Sequence, residues 1–256
     1  MKVVVIGAGN VATVLGRLMR DKGHEIIQVY SRHLYNAEDL ADELKCKATN
    51  DWGNISKEGQ LYLVALSDRA VAGLHEHWQA ETGLVVHTAG GLSKNVLRKV
   101  AKNFGVLYPL QSLRKEKSDY EAIPLLVDGN TEDDLTLITD FAQSLSTVVR
   151  PAGDDYRIHL HVAGVFVNNF TNHLYTLAED YCKKTGVSFG LLKPLIIETA
   201  QRIQDFAPAA MQTGPAVRGD LGTLERHLEL LKEHPALFAL YGQITQSIQS
   251  SVEENH

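Results

Sequence analysis

Apolar residues in the first half of this chain fall in short unbroken runs, each followed by a helical stretch. Val3-Val4-Val5-Ile6 is too apolar for a strand with one wet face and predicts a buried one. Val11, Leu15, Leu18 and Met19 then recur at helical spacing, so a helix follows after only Gly7-Ala8-Gly9. Further strands are predicted over 25–30, 61–66, 84–87, 104–107, 123–127 and 147–150, with a short one near Ala48-Thr49. Helices are predicted over 36–44, from about Ala70, and over 132–145, with Asn36 as N-cap of the first. This alternation implies an α/β fold with a Rossmann-type, doubly wound, mostly parallel sheet.

Pro151-Ala152-Gly153-Asp154 interrupts both periods and sets a boundary between domains 1–151 and 152–256. Beyond it the strand pattern stops. A helix is predicted over 155–184, with apolar side chains around much of its circumference and Gly186 as its stop. Others are predicted over 191–206, 221–232 and 235–251, and the tail 253–256 is expected to fray. A helical half that is apolar on more than one face needs covering, so a homodimer through these C-terminal helices is expected.

Composition narrows the partners. A net charge of −6 gives no electrostatic reason to expect nucleic acid or an anionic membrane. Cys46 and Cys182 stand far apart and read as free thiols of a reducing compartment. No apolar run reaches the ~18 residues of a membrane span. The first strand begins at residue 2 and leaves no room for a cleavable signal, so the cytoplasm is the expected location.

The first candidate site is the glycine turn. Gly7 suits a tight turn, Gly9 lets backbone approach a pyrophosphate, and Ala12 is small enough for helix to pack on strand. Together with Asn10 and Val11 at the helix start, where unpaired N–H groups attract anions, these residues predict dinucleotide binding. An NAD site usually carries an acid about 20 residues further on, to hold the ribose hydroxyls. Here Ser31-Arg32-His33 stands instead, and a hydroxyl with a guanidinium suits a 2′-phosphate, so NADP(H) is the expected cofactor. Ser67, Asp68, Thr88 and Gly90 follow later strands and belong near the nicotinamide half; each also fits a capping or turn role.

Within the long helix, His161 and Asn169 are eight positions apart, near one face. His161 has a side chain able to exchange a proton near neutrality, and Asn169 one able to orient a substrate oxygen. A structural role is the alternative for each. Thr213-Gly214-Pro215 leads to Arg218-Gly219-Asp220, where Arg218 could clamp a carboxylate and Asp220 could cap a helix; equally, the two could pair with each other. No His, Asp or Glu pair stands at metal spacing, so no metal site is expected.

Several motifs together resemble a family of NADP oxidoreductases with a Rossmann-like first half and a helical second half of unassigned function. They are Ile6-Gly7-Ala8-Gly9-Asn10-Val11-Ala12, His87-Thr88-Ala89-Gly90, Tyr108-Pro109-Leu110-Gln111-Ser112, His161 with Asn169, and the Thr213–Asp220 segment. In that family the proline motif typically begins with histidine, where Tyr108 stands here. The resemblance implies an all-α second domain like the C-terminal domain of 6-phosphogluconate dehydrogenase, and adds Ser112 to Arg218 and Asp220 as substrate-binding candidates.

More distantly the chain resembles pyrroline-5-carboxylate reductase, F420-dependent NADP reductase and the β-hydroxyacid dehydrogenases. The last group uses a lysine four residues before an asparagine; matching Asn169 puts Val165 at the lysine position, and valine transfers no proton. The expected function is therefore hydride transfer between NADP(H) and a small carbonyl, imine or hydroxy compound in a cleft between the domains. The alternative is a non-catalytic NADP(H)-binding dimer that acts as a sensor.

Overall fold

The computed structural model describes residues 1–117, 119–120 and 122–253. The expectation for the tail at 254–256 lies outside them. Contacts divide the chain into two compact units, Met1–Asn168 and Asn169–His256.

The first unit is built on an eight-stranded sheet ordered β3-β2-β1-β4-β5-β6-β7-β8. Its strands are β1 (Lys2–Ile6), β2 (Glu25–Tyr30), β3 (Lys47–Thr49), β4 (Leu61–Val64), β5 (Leu84–His87), β6 (Asn103–Pro109), β7 (Leu125–Gly129) and β8 (Val149–Pro151). Every neighbouring pair is parallel except β6 with β7. Strand β1 shows why the sequence run had to be unbroken. Val3 and Val5 point into one core layer, Val4 and Ile6 into the other, and all four are fully buried.

Helices cover the faces. On one side, α1 (Asn10–Asp21) buries Ala12, Leu15 and Met19. Gly16 lets α2 (Leu34–Leu44) approach, since a Cβ there would stand 2.8 Å from a Leu44 methyl. On the same face, α4 (Glu132–Leu145) starts on Thr131, whose hydroxyl accepts the Asp134 N–H at 3.1 Å. Glu132, Asp133 and Asp134 in its first turn complement the helix dipole. Asn36 does not cap α2. That helix begins two residues earlier, after an extended His33, so Asn36 lies inside its first turn. The helix expected from Ala70 is the single short turn α3 (Asp68–Ala72).

Helix α5 (Asp154–Gly164) belongs to the first unit, so that unit extends past the boundary expected after residue 151. Its anchor is Arg157, 1% exposed. The guanidinium donates to Asp154 Oδ1 at 2.6 Å and to the Ala152 carbonyl at 3.2 Å. A further hydrogen bond goes to the Leu92 carbonyl, and Lys94 completes the cluster by pairing with Asp128 at 2.8 Å. Burial opposes the ionised form of Asp154, but hydrogen bonds from Ser93, Arg157 and the Lys94 N–H outweigh it and hold the carboxyl below its usual range. The helix expected over 155–184 is present as α5, a π-helical segment over Val165–Phe170 and a further α-helix over Thr171–Thr185; the division between units falls inside the π-helical segment.

The second unit is helical: α6 (Thr171–Thr185), α7 (Lys193–Asp205), α8 (Leu221–Leu230) and α9 (Pro235–Glu253). Gly186, at φ +74°, ends α6 as the sequence implied. Among the described residues, its only buried hydrophobic side chains are Cys182, Ala216, Leu224 and Leu231. No helix among the described residues is long and apolar enough to cross a membrane.

Candidate dinucleotide and proton-transfer site

The sheet order reverses at β1, which has β2 on one side and β4 on the other. Beyond the carboxyl ends of such strands, an open α/β sheet leaves a crevice. The turn out of β1 is fixed there by two backbone bonds, Gly7 N–H to the Tyr30 carbonyl and Ala65 N–H to the Ile6 carbonyl, each 2.8 Å. Gly7 is obligatory at φ +124°, because a Cβ would stand 2.2 Å from the Ala65 carbonyl oxygen. Gly9, by contrast, faces open space: no heavy atom would lie within 4 Å of its Cβ. The first turn of α1 carries no acid, so its free N–H groups are available to an anion.

A groove of about 690 Å³ opens over this turn. Gly7 and Gly9, Ser31 and Arg32 after β2, and Ser67 and Arg69 after β4 line it. One wall is aromatic: Trp52 stacks on Tyr30 with centroids 3.8 Å apart and lies nearly parallel to His77 at 6.0 Å. A close-packed turn beside an open glycine is the shape a diphosphate requires, so the groove fits a dinucleotide.

A second cluster forms past β5. His87 is fully buried, and its Nδ1 accepts the Ala89 N–H at 3.2 Å. Burial, aided by the Arg157 charge, pushes its pKa down to about 4, so the ring is neutral. The bond shapes the turn that carries Gly90. A Cβ on Gly90 would stand 2.6 Å from the Tyr108 ring and 2.7 Å from His161 Nδ1. Those two side chains meet each other: the Tyr108 hydroxyl lies 2.9 Å from His161 Nδ1, with the rings edge to face. Burial raises the Tyr108 pKa, against a smaller opposing effect of Arg157, so the phenol keeps its proton near neutrality. With Nδ1 unprotonated the phenol donates to it, and Nε2 then carries the imidazole proton. Arg157 precedes His161 by one helical turn and ties that stretch of α5 to the sheet side.

Of the residues singled out in the sequence, Gly7, Gly9, Ser31, Arg32 and Ser67 share the groove, and Thr88 and Gly90 share the turn after β5. Asp68 is directed toward that turn, its Oδ2 lying 3.7 Å from where a Cβ on Gly91 would be. Asn10 accepts the Lys115 N–H through its side chain, and Val11 packs on the core. Ser112 is exposed in the loop after β6, where its carbonyl accepts the Tyr120 hydroxyl at 3.4 Å.

In the second unit Asn169 and Arg218 are exposed. Asp220 caps α8, accepting the Thr223 N–H at 3.1 Å and its hydroxyl at 2.7 Å. Sequence reasoning missed Tyr108 as the partner of His161, Arg69, Trp52 and His77 in the groove, and the buried Arg157. Two signals were present: the run Leu61–Leu66, which leads into Arg69, and the proline motif, where Tyr108 stands at the histidine position.

The strand order, the strained glycine turn and the acid-free helix start define a dinucleotide-binding protein of Rossmann type. Residues 2–91 match the family described as NADP oxidoreductase, coenzyme F420-dependent, and residues 123–248 match a domain of unknown function, DUF2520. A protein from Bacteroides fragilis described as an NADP oxidoreductase is 37% identical. The match covers 97% of this chain and 98% of that one, with a TM-score of 0.91. The chain belongs to this NADP oxidoreductase family.

Two structures at lower identity share the fold. 1-Pyrroline-5-carboxylate reductase from Streptococcus pyogenes is 15% identical over 98% of each chain, with a TM-score of 0.64. An imine reductase from Myxococcus stipitatus, in complex with NADP+, is 14% identical over 100% of this chain and 96% of that one, with a TM-score of 0.67. No curated protein matches the sequence.

Proposed function

We propose that this protein is an NADP(H)-dependent oxidoreductase that reduces a small carbonyl or imine, or oxidises the corresponding hydroxy or amino compound. The observation that carries the reading is the 2.9 Å contact between Tyr108 and His161 beside Gly90, in the same unit as the dinucleotide groove. The names of the two lower-identity structures, an imine reductase and a pyrroline-carboxylate reductase, favour a C=N or C=O substrate.

When bound, the nicotinamide supplies the hydride. The chain's own residues supply the rest. The N–H groups around Gly7 and Gly9 hold the diphosphate, and Ser31 with Arg32 holds a phosphate on the ribose, which favours NADP(H) over NAD(H). His161 Nε2 gives the substrate heteroatom its proton during reduction while Nδ1 takes the proton of the Tyr108 phenol, which solvent then restores; both transfers reverse during oxidation. From the second unit, Asn169 is proposed to orient the substrate and Arg218 to hold an anionic group on it; both are exposed polar side chains. The sparse core of that unit supports a homodimer, because Leu191, Leu195, Ile197 and Phe206 stand exposed.

The test is NADPH oxidation against a panel of small ketones, imines and oxo acids. His161→Ala is expected to lower turnover far more than it weakens NADPH binding. Equal effects on both would remove His161 from the chemistry. Tight binding without turnover on any compound would replace the enzyme reading with the sensor.

A further inference from the structure

The groove is lined by a second arginine, Arg69, that the NADP(H) reading does not use. Arg32 and Arg69 reach it from different strands, one after β2 and one after β4. Among the described residues neither has an acidic partner, and the only polar contact of Arg32 is His33 Nε2 at 3.4 Å. No lining side chain of the groove is a carboxylate. Asp68, the acid next to Arg69 in sequence, has its Oδ2 toward Gly91 and does not line the groove. Two arginines lining one acid-free groove make it positive, which favours an anionic ligand there.

We infer that Arg69 is a second reader of the ribose 2′-phosphate, acting with Arg32 as a two-sided clamp. The inference rests on the NADP(H) reading and deepens it. A phosphate monoester carries a charge of about −1.5 to −2 near pH 7, which one guanidinium neutralises only in part. Two guanidiniums match that charge, and their planar forks address several phosphate oxygens at once. The same group is absent from NADH, so Arg69 acts on the choice between the two cofactors and leaves the shared diphosphate contacts to the backbone. Trp52, one of two tryptophans in the chain, lines the same groove and reports occupancy through its fluorescence.

The experiment is a fluorescence titration of the full-length protein with NADPH, NADH and adenosine 2′,5′-bisphosphate. It compares the wild type with Arg69→Gln, Arg69→Lys and Arg32→Gln. Arg69→Gln is expected to weaken NADPH and the bisphosphate by about tenfold or more, while NADH changes by less than about twofold. Arg69→Lys, which keeps the charge and loses the fork, falls between. The log-log salt dependence of NADPH binding becomes shallower in Arg69→Gln. An unchanged NADPH affinity, or an equal loss for NADPH and NADH, overturns the role of Arg69 while the wild-type preference stands. A wild type that shows no preference for NADPH fails the underlying reading itself, a result visible before any variant is made.

Discussion

The Tyr108 hydroxyl lies 2.9 Å from Nδ1 of His161, 53 residues further along the chain, and Gly90 leaves the space in which they meet. The proline motif opens here on a phenol, and that phenol is paired with a histidine from α5. If this pair moves the proton, Tyr108→Phe removes the hydrogen bond with little change in packing. Turnover should fall by about 10²-fold, with NADPH affinity held within a factor of about two. Gly90→Ala should lower turnover as well, because its Cβ would press on both rings. Steady-state kinetics with parallel NADPH titrations check both variants; full activity in Tyr108→Phe would leave the pair a packing contact.

The two glycines of the first turn make opposite demands. Gly7→Ala places a Cβ against the Ala65 carbonyl at positive φ and should destabilise the fold by about 1–3 kcal/mol. Gly9→Ala meets nothing in the protein, so its melting temperature should stay near the wild type while dinucleotide affinity drops by tenfold or more. Thermal melts and nucleotide titrations separate the two effects. A Gly9→Ala variant that binds normally would show that the diphosphate lies elsewhere.

Much of this was legible in the sequence, for a local reason. β2, Glu25–Tyr30, and α4, Glu132–Leu145, have the bounds read from the sequence, because an unbroken apolar run and a helical period each depend on neighbours alone. The glycine turn was legible because its chemistry is contiguous. The Tyr108 and His161 pair was not, since it joins a strand end to a helix far along the chain. Arg157 was hidden because an arginine on a helix ordinarily reads as solvated, and only carboxylates and carbonyls brought in by other elements make its burial tolerable. Arg69 sits on the five-residue α3 and Trp52 on a three-residue 3-10 turn, both too short to show a period.

The buried His87 gives stability a pH signature. Its folded pKa is about 4, below the ordinary 6.5, so between those values the unfolded chain binds a proton that the folded chain refuses. The contribution is complete above pH 6.5 and is lost as pH falls toward 4; it amounts to something on the order of 3 kcal/mol. His87→Asn keeps an acceptor for the Ala89 N–H and cannot charge. Urea denaturation at intervals from pH 4 to 7 should show a shallower slope in the variant. Identical slopes would mean that another group governs acid stability.

The exposed apolar residues on α7 and its flanking segments predict self-association. Sedimentation should give the mass of a dimer at micromolar concentration. Leu195→Glu with Ile197→Glu, at positions 60% and 56% exposed in the single chain, should shift the protein toward monomer. A wild type that sediments as a monomer of 28.3 kDa would leave those side chains without a cover.

Calorimetric titration of the purified protein with NADPH and then NADH bears most directly on the cofactor assignment. The account predicts one site per chain, with NADPH binding at least about tenfold more tightly than NADH and most of that preference lost in Arg32→Gln. Heat from neither nucleotide would contradict it, and enzyme and sensor readings would fall together.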